Sequence, residues 1–167
     1  YTVVTEEVGI INALCLVNDT LVIGSRNGLW VYHNDKHMER IALEGTVAQR
    51  ENAINAMVTD GADGVWICTN QRLMHVTFPT RNIKKYDITP ALLNGNIRTL
   101  CRIGETLYIG PHTGALFSFD STNETFAPCP HFALENIVNL STDGTSLYVG
   151  TNGNGAYRID TQRGHIA

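Results

Sequence analysis

Short apolar segments alternate with polar ones along the chain, and the same order of segments occurs four times. Each repeat begins at an isoleucine, and these isoleucines are 43, 43 and 40 residues apart: Ile11, Ile54, Ile97 and Ile137. No segment carries a sustained apolar period of 3.6 residues. The pattern therefore predicts strands throughout and few helices.

Each isoleucine opens a strand that is followed by a turn and further strands. The turns are rich in Asn, Asp and Gly, which favour hairpin geometry, and they lie at 18–19, 60–64, 104–105 and 143–144. The second strands are continuous apolar runs that each end in a small residue: Gly24, Cys68, Gly110 and Gly150. Third strands are predicted at 29–32, 73–76, 116–119 and 156–159, and a weaker fourth element at 1–4, 38–42, 84–88 and 125–129.

Four short strands repeated every 40 to 45 residues are typical of β-propeller blades. The apolar second strands agree, because stacked blades cover their middle strands on both sides. The sequence therefore predicts an all-β fold, a β-propeller of four blade-equivalents of about 40–43 residues, in one segment spanning 1–167. The repeat units fall at about 1–35, 36–79, 80–121 and 122–162.

Two arrangements of four blades are open to this sequence, a compact ring and an arc taken from a larger propeller. We expect the arc, and we expect the chain to be an excised piece, since it starts at Tyr1 without an initiator Met. An arc would leave two apolar faces exposed, which would favour a homodimer or other self-association through the edge blades.

Charge and cysteine content narrow the possible partners and chemistry. The net charge is −4 and the basic residues are scattered, which argues against nucleic acid or direct contact with a membrane. The four cysteines show no metal-binding spacing and are expected to be buried free thiols, although their disulfide state stays open: Cys15, Cys68, Cys101 and Cys129.

The repeat resembles the two-component-regulator propeller repeat. The likeness rests on these positions: Asn96-Ile97, Asn136-Ile137, 63–69, 148–151, the loop glycines Gly28, Gly114 and Gly155, and the closing Asp120 and Asp160. It covers the whole chain. Three positions depart from the pattern, since Cys68 and Arg72 replace glycines and Pro111 replaces threonine.

The resemblance implies a sensor segment of a Bacteroidetes-type hybrid two-component system. In that family such propellers are periplasmic, precede a membrane helix and a histidine kinase, and frequently respond to an oligosaccharide. The segment itself would then be non-enzymatic and would need no cofactor. A ligand would act by favouring one arrangement of two sensor chains over another.

A ligand site, if present, is expected on the loops between the second and third strands, which lie with the loops that enter the innermost strands. Amide and guanidinium side chains there suit sugar hydroxyls or carboxylates. The candidates are Arg26, Asn27, Asn70, Gln71, Arg72, His112, Asn152 and Asn154, together with Arg98 on an innermost strand.

Two other functional classes compete with the sensor interpretation. A generic propeller scaffold for protein interactions would show an apolar patch and no sugar affinity. A propeller glycoside hydrolase or lyase would need paired acids, but the acidic residues fall mostly in turns and loops. No metal site is expected, because 60–64 lacks the spacing of a calcium loop and only His33 and His37 lie close in sequence.

Overall fold

The computed structural model describes residues 8–33, 37–43, 53–129, 134–161 and 165–166. These residues form sixteen strands and no helix. Among them there is therefore no helix that is long and apolar enough to cross a membrane. The predicted strand at 1–4 lies outside the described residues. The chain divides into two compact units, one spanning residues 1–86 and the other 87–167.

The first unit contains two four-stranded antiparallel sheets, each with its strands in chain order. The first sheet consists of β1 Ile11–Val17, β2 Thr20–Ser25, β3 Gly28–Tyr32 and β4 Met38–Ile41. The second sheet consists of β5 Ala56–Thr59, β6 Gly64–Cys68, β7 Arg72–Thr77 and β8 Asn82–Asp87.

The second unit repeats this arrangement. The third sheet consists of β9 Asn94–Ile103, β10 Thr106–Thr113, β11 Phe117–Asp120 and β12 Thr125–Pro128. The fourth sheet consists of β13 Ile137–Thr142, β14 Ser146–Thr151, β15 Ala156–Asp160 and β16 His165–Ile166. In both sheets the strands again follow chain order.

The sheets are offset by one strand from the sequence repeats. The sequence repeats place residues 38–42 in the same unit as the strand that follows them. In the structure these residues form β4, which pairs instead with β3 of the first sheet. The reason is local, because β3 and β4 are joined by a short hairpin across which the His33 N–H donates to the His37 carbonyl at 2.9 Å. The longer connection leads from β4 to the next sheet.

The core of each unit lies between its two sheets. In the first unit it contains Val22, Leu29 and Val31 from the first sheet with Val65, Ile67 and Val76 from the second. In the second unit Cys101 and Leu116 of the third sheet pack with Leu140, Val149 and Ile159 of the fourth. The middle strands supply most of these residues, as their apolar runs predict.

The isoleucine that opens each repeat is hereafter called the anchor isoleucine, and in the first, third and fourth sheets it is followed by an irregular residue. In the first sheet the register shifts between Ile11 and Ala13, and in the fourth between Ile137 and Asn139, so Asn12 and Val138 are the extra residues. Such β-bulges redirect side chains at the end of a strand. The sequence pattern did not indicate them.

The expectation of two exposed apolar faces is correct for one sheet and wrong for the other. On the first sheet, Leu14 and Leu16 are 59% and 68% exposed. On the fourth sheet, the face turned away from the third carries mainly polar and small exposed residues: Asn139, Ser141, Tyr148, Ala156 and Arg158. The strand alternation there places polar rather than apolar residues on this face.

Candidate functional site

In the first sheet the predicted loop is a tight turn held by a buried serine. The Ser25 hydroxyl accepts the Asn27 N–H at 3.1 Å and donates to the Gly28 carbonyl at 3.1 Å. Arg40 donates to the Asn27 carbonyl at 2.6 Å, and the Asn27 amide donates to the Val8 carbonyl at 3.4 Å. The backbone is therefore fixed, and the Arg26 side chain is exposed on it.

The second sheet builds the same kind of turn from a threonine. The Thr69 hydroxyl accepts the Arg72 N–H at 3.2 Å, and the Thr69 N–H donates to the Arg72 carbonyl at 2.9 Å. The Asn55 amide donates to the Asn70 side-chain oxygen at 2.9 Å. Gln71, which lies between Asn70 and Arg72, is exposed.

Hydrogen bonds link these two loops. The Ile54 N–H donates to the Ser25 carbonyl at 2.9 Å, and the Asn12 side chain donates to the Ile54 carbonyl at 2.8 Å. Ile54 is next to Asn55, which holds Asn70. The first unit therefore brings its predicted loop residues onto one rigid end, and Asn12 and Asn55 serve to fix that end.

In the second unit the third sheet departs from this pattern. Pro111 stands where the other sheets have Ser or Thr, and β9 and β10 continue beyond it to pair Thr113 with Asn94. His112 lies exposed on this extension. Arg98, next to the anchor Ile97, is also exposed, at a position where the register of β9 and β10 shifts.

The fourth sheet returns to the threonine turn. The Thr151 N–H and hydroxyl donate to the Gly155 carbonyl at 3.0 and 2.7 Å. The Asn152 N–H donates to the Asn136 carbonyl at 2.9 Å, and the Tyr157 hydroxyl donates to the Asn154 carbonyl at 2.7 Å. Both asparagine side chains are exposed while their backbones are fixed.

At the opposite end of the sheets, acidic side chains in two turns form hydrogen bonds within their own sheet. In the second sheet, Asp60 accepts the Ala62 and Gly64 N–H groups at 2.8 and 3.1 Å and lies 2.8 Å from the His75 ring nitrogen Nε2. Burial opposes ionisation of Asp60, but these hydrogen bonds and the His75 charge outweigh it and lower its pKa. Gly64 permits the contact, since a Cβ there would lie 2.5 Å from Asp60 Oδ2.

The equivalent turn of the fourth sheet is exposed but built in the same way. Asp143 accepts the Ser146 and Thr145 N–H groups at 2.7 and 2.9 Å and the Tyr148 hydroxyl at 2.9 Å. These bonds, that from Ser146 foremost, lower the pKa of the Asp143 carboxyl. The aspartates in both turns thus stabilise hairpins, as the sequence predicted for 60–64.

The two tryptophans do not form exposed stacking platforms. Trp66 is buried, and its ring stacks on His75 with centroids 4.3 Å apart. Trp30 is half-buried, with the Arg40 guanidinium 5.7 Å from its ring centroid. Both therefore contribute to packing within the first unit.

A small cavity of about 250 Å³ in the first unit was not indicated by the sequence. Its wall combines apolar groups such as Val31 and Phe78 with the charged Glu39 and Arg81. Arg81 donates to Glu39 at 2.8 Å, so these two charges neutralise each other across the two sheets. Only the folded chain brings them together, since they are 42 residues apart.

In the part of the chain that the structure describes, the thiols are unreactive and no metal-binding group of side chains is assembled. Burial raises the pKa of all four free thiols, so they are protonated at neutral pH and are poor nucleophiles: Cys15, Cys68, Cys101 and Cys129. Within the same residues, no three His, Cys, Asp or Glu side chains form a group that could hold a metal ion.

Comparisons with known proteins find similarity in structure alone. No family model matches the sequence, and no curated protein matches it. Two extracellular domains assigned to hybrid two-component systems of B. thetaiotaomicron match the structure with TM-scores of 0.73 and 0.75, at 17% and 15% identity. A computationally designed protein matches with a TM-score of 0.69 at 13% identity.

These matches cover nearly all of this chain but different shares of the other chains. They span 96% and 95% of this chain but only 21% and 24% of the two sensor-domain chains. The match to the designed protein spans 93% of both chains. The predicted all-β propeller fold is therefore confirmed, and a part of each of the two extracellular domains has the same fold.

Proposed function

We propose that this chain is a non-enzymatic, ligand-recognition segment of an extracytoplasmic two-component sensor, and that its ligand is an oligosaccharide. The observation that carries the proposal is the set of exposed amide and guanidinium side chains on loops whose backbones are fixed by Ser25, Thr69 and Thr151. Fixed loops hold their side chains ready for a ligand, which lowers the entropy lost on binding.

The shared fold supports the proposal, because the matched domains are the extracellular parts of hybrid two-component systems. In such a system the segment would lie outside the cytoplasm, and the kinase would lie elsewhere in a longer protein. The ligand would shift the sensor only by the difference in its affinity for two arrangements.

The chemistry of the loops favours a polyhydroxyl ligand over a purely apolar one. Arg26 and Gln71 in the first unit, and His112 and Asn154 in the second, are exposed and offer hydrogen-bond donors. Asn and Gln both donate and accept, which matches sugar hydroxyls. The net charge of −4 argues against polyanionic ligands.

The test is isothermal titration of the chain with a panel of neutral and acidic oligosaccharides. For a saccharide that binds, Arg26→Ala and Gln71→Ala test the first unit, while His112→Ala and Asn154→Ala test the second. Loss of one hydrogen bond weakens binding about three- to tenfold, so we expect that effect in at least one unit.

The matched control is Thr80→Ala, which changes an exposed polar side chain in the turn between β7 and β8 at the opposite end. It should leave the affinity unchanged. The proposed ligand class is wrong if no saccharide binds, or if Thr80→Ala weakens binding as much as the loop variants. Binding of a protein instead would favour the scaffold alternative, and turnover of a glycan would favour the hydrolase alternative.

A further inference from the structure

Inside each unit the anchor isoleucine of one sheet fills a gap beside a glycine of the sheet before it. A Cβ at Gly24 would lie 2.7 Å from Ile54 Cγ2, and a Cβ at Gly110 would lie 2.8 Å from Ile137 Cγ2. Real Cβ atoms do not approach so closely, so only glycine leaves room for the isoleucine. We call these positions, and the equivalent Gly150, socket glycines.

The third socket glycine has no isoleucine against it. A Cβ at Gly150 would meet nothing closer than Asn139 Cβ and Val138 Cγ2, both at 3.8 Å and both in its own sheet. An open hollow of about 340 Å³ lies over it. The socket is therefore present but unfilled.

The chain also carries an anchor isoleucine without a socket. Ile54 and Ile137 are completely buried, whereas Ile11 is 45% exposed. Leu14 lies three residues after Ile11, as Leu140 does after Ile137. Leu140 is buried in the core of the second unit, while Leu14 is 59% exposed.

The open face of the fourth sheet matches a face that is already used for packing. The third sheet packs on the fourth with Cys101, Tyr108 and Gly110, and the fourth sheet has Ser141, Tyr148 and Gly150 at the equivalent register positions. Serine and cysteine have similar shapes, so these three positions resemble those of a packing face, while Arg158 stands where the third sheet has Ser118.

A polar contact across the packed interface also has a counterpart on the open face. The Leu140 N–H donates to the Thr99 hydroxyl of the third sheet at 3.1 Å, in a buried hydrogen bond. The equivalent of Thr99 on the fourth sheet is Asn139, whose amide oxygen is an acceptor, and the equivalent of Leu140 on the first sheet is Leu14.

We propose that a second copy of this chain docks its first sheet on the open face of the fourth sheet, with Ile11 in the Gly150 socket. A second copy is the partner that fits this face, because it carries the exposed anchor isoleucine with the apolar neighbours that the two internal interfaces use. The contact joins two different surfaces, so it is heterologous and leads to a closed ring or to a chain of copies.

The test is sedimentation of the 167-residue chain over a range of concentrations, with variants on each side of the contact. We expect the chain to associate, and Gly150→Val and Ile11→Asp each to weaken association about tenfold or more. Gly150 does not have a positive φ, so valine is compatible with the backbone there. Circular dichroism and urea unfolding check that each variant keeps its fold.

Mixing the two variants gives the most specific result. Gly150→Val keeps an intact Ile11, and Ile11→Asp keeps an intact Gly150 socket, so an equimolar mixture should form one complete contact and stop at a dimer. Ile10→Asp is the matched control, since Ile10 is 55% exposed and precedes the anchor, and its equivalent Asn136 stays exposed.

Three results would overturn the proposal. The first is a wild-type chain that stays monomeric at concentrations on the order of 100 μM, above the dissociation constants of most specific assemblies. The second is association that neither variant weakens, which would place the contact elsewhere. The third is an equal effect of Ile10→Asp and Ile11→Asp, which would indicate unspecific apolar contact.

Discussion

Gly24 and Gly150 occupy the same position in two sheets but have opposite surroundings. Beside Gly24, the Ile54 and Met57 side chains lie so close that a Cβ would be 2.7 and 2.9 Å from them. Beside Gly150 the neighbouring space is open. The small residue is the same, and the difference is that an anchor isoleucine packs against Gly24 and none packs against Gly150.

In our proposal, one sequence feature serves folding in one place and recognition in another. A glycine opposite an anchor isoleucine contributes to stability where both are in one unit. Where the isoleucine is missing, the same glycine leaves a shaped gap on the surface. Substitutions at equivalent positions therefore separate the two roles.

The largest expected effect is at the buried anchor isoleucines. Ile54→Ala and Ile137→Ala each remove fully buried groups from a packed interface, so we expect each to lower the free energy of unfolding by about 2–5 kcal/mol. Ile11→Ala, at a concentration that keeps the chain monomeric, should cost less than about 1 kcal/mol. Urea unfolding measures all three, and equal losses would contradict the comparison.

The socket glycines should differ in the same direction. Gly24→Ala and Gly110→Ala each force a Cβ against an isoleucine, and overpacking of this kind costs about 1–3 kcal/mol. The Cβ added by Gly150→Ala would have no neighbouring atom closer than 3.8 Å, so this substitution should not destabilise the monomer. Alanine reduces the entropy of the unfolded chain equally at each position, so the difference in unfolding free energy reports packing alone.

An acid titration extends the comparison to the turns of the second and fourth sheets. The lowered pKa of Asp60 means that the folded state favours its carboxylate. This stabilisation is complete above the unfolded pKa of about 3.9 and is lost as the pH falls through the lower folded pKa. The unfolding free energy should therefore decrease in acid, and Asp60→Asn should flatten that decrease.

The smallest expected effect concerns Tyr148, which lies on the open face beside Gly150. Its hydroxyl donates to Asp143, and this bond contributes to the lowered pKa of that carboxyl. Tyr148→Phe should raise the pKa of Asp143 while the Ser146 and Thr145 N–H bonds keep it below its usual value. Carboxyl NMR titration measures this shift, and an unchanged pKa would show that the Tyr148 bond is not formed.

Much of the fold could be predicted from the sequence, because period and strand pattern are local properties. The four anchor isoleucines and the small residues ending the second strands marked the inner strands of each sheet, while the outermost strand was assigned to the following unit. The bulges after the anchors were missed, since Asn12 and Val138 differ in type and share no turn signal. The polar open face was also missed, because only the register shows which residues of β13 and β15 share a face.

The exposure of the candidate loop residues was predictable, but the contacts that fix their loops were not. The loop turns gave exposed residues such as Arg26 and Gln71, as expected from their polar composition. The roles of Asn12 and Asn55 in fixing those loops depend on contacts to Ile54 and Asn70 that only the folded chain creates. The pairing of Asp60 with His75 is of the same kind, since 15 residues separate them.

The most direct test of the account is an NMR experiment on mixed copies. One copy carries a ¹³C-labelled Ile11 methyl in a deuterated background, and the other carries a protonated glycine at position 150. We expect intermolecular nuclear Overhauser effects between the Ile11 methyl and the Gly150 α-protons. Ile54 and Gly24 make the equivalent contact within one chain. Their absence from a sample that sedimentation shows to be associated would contradict the account.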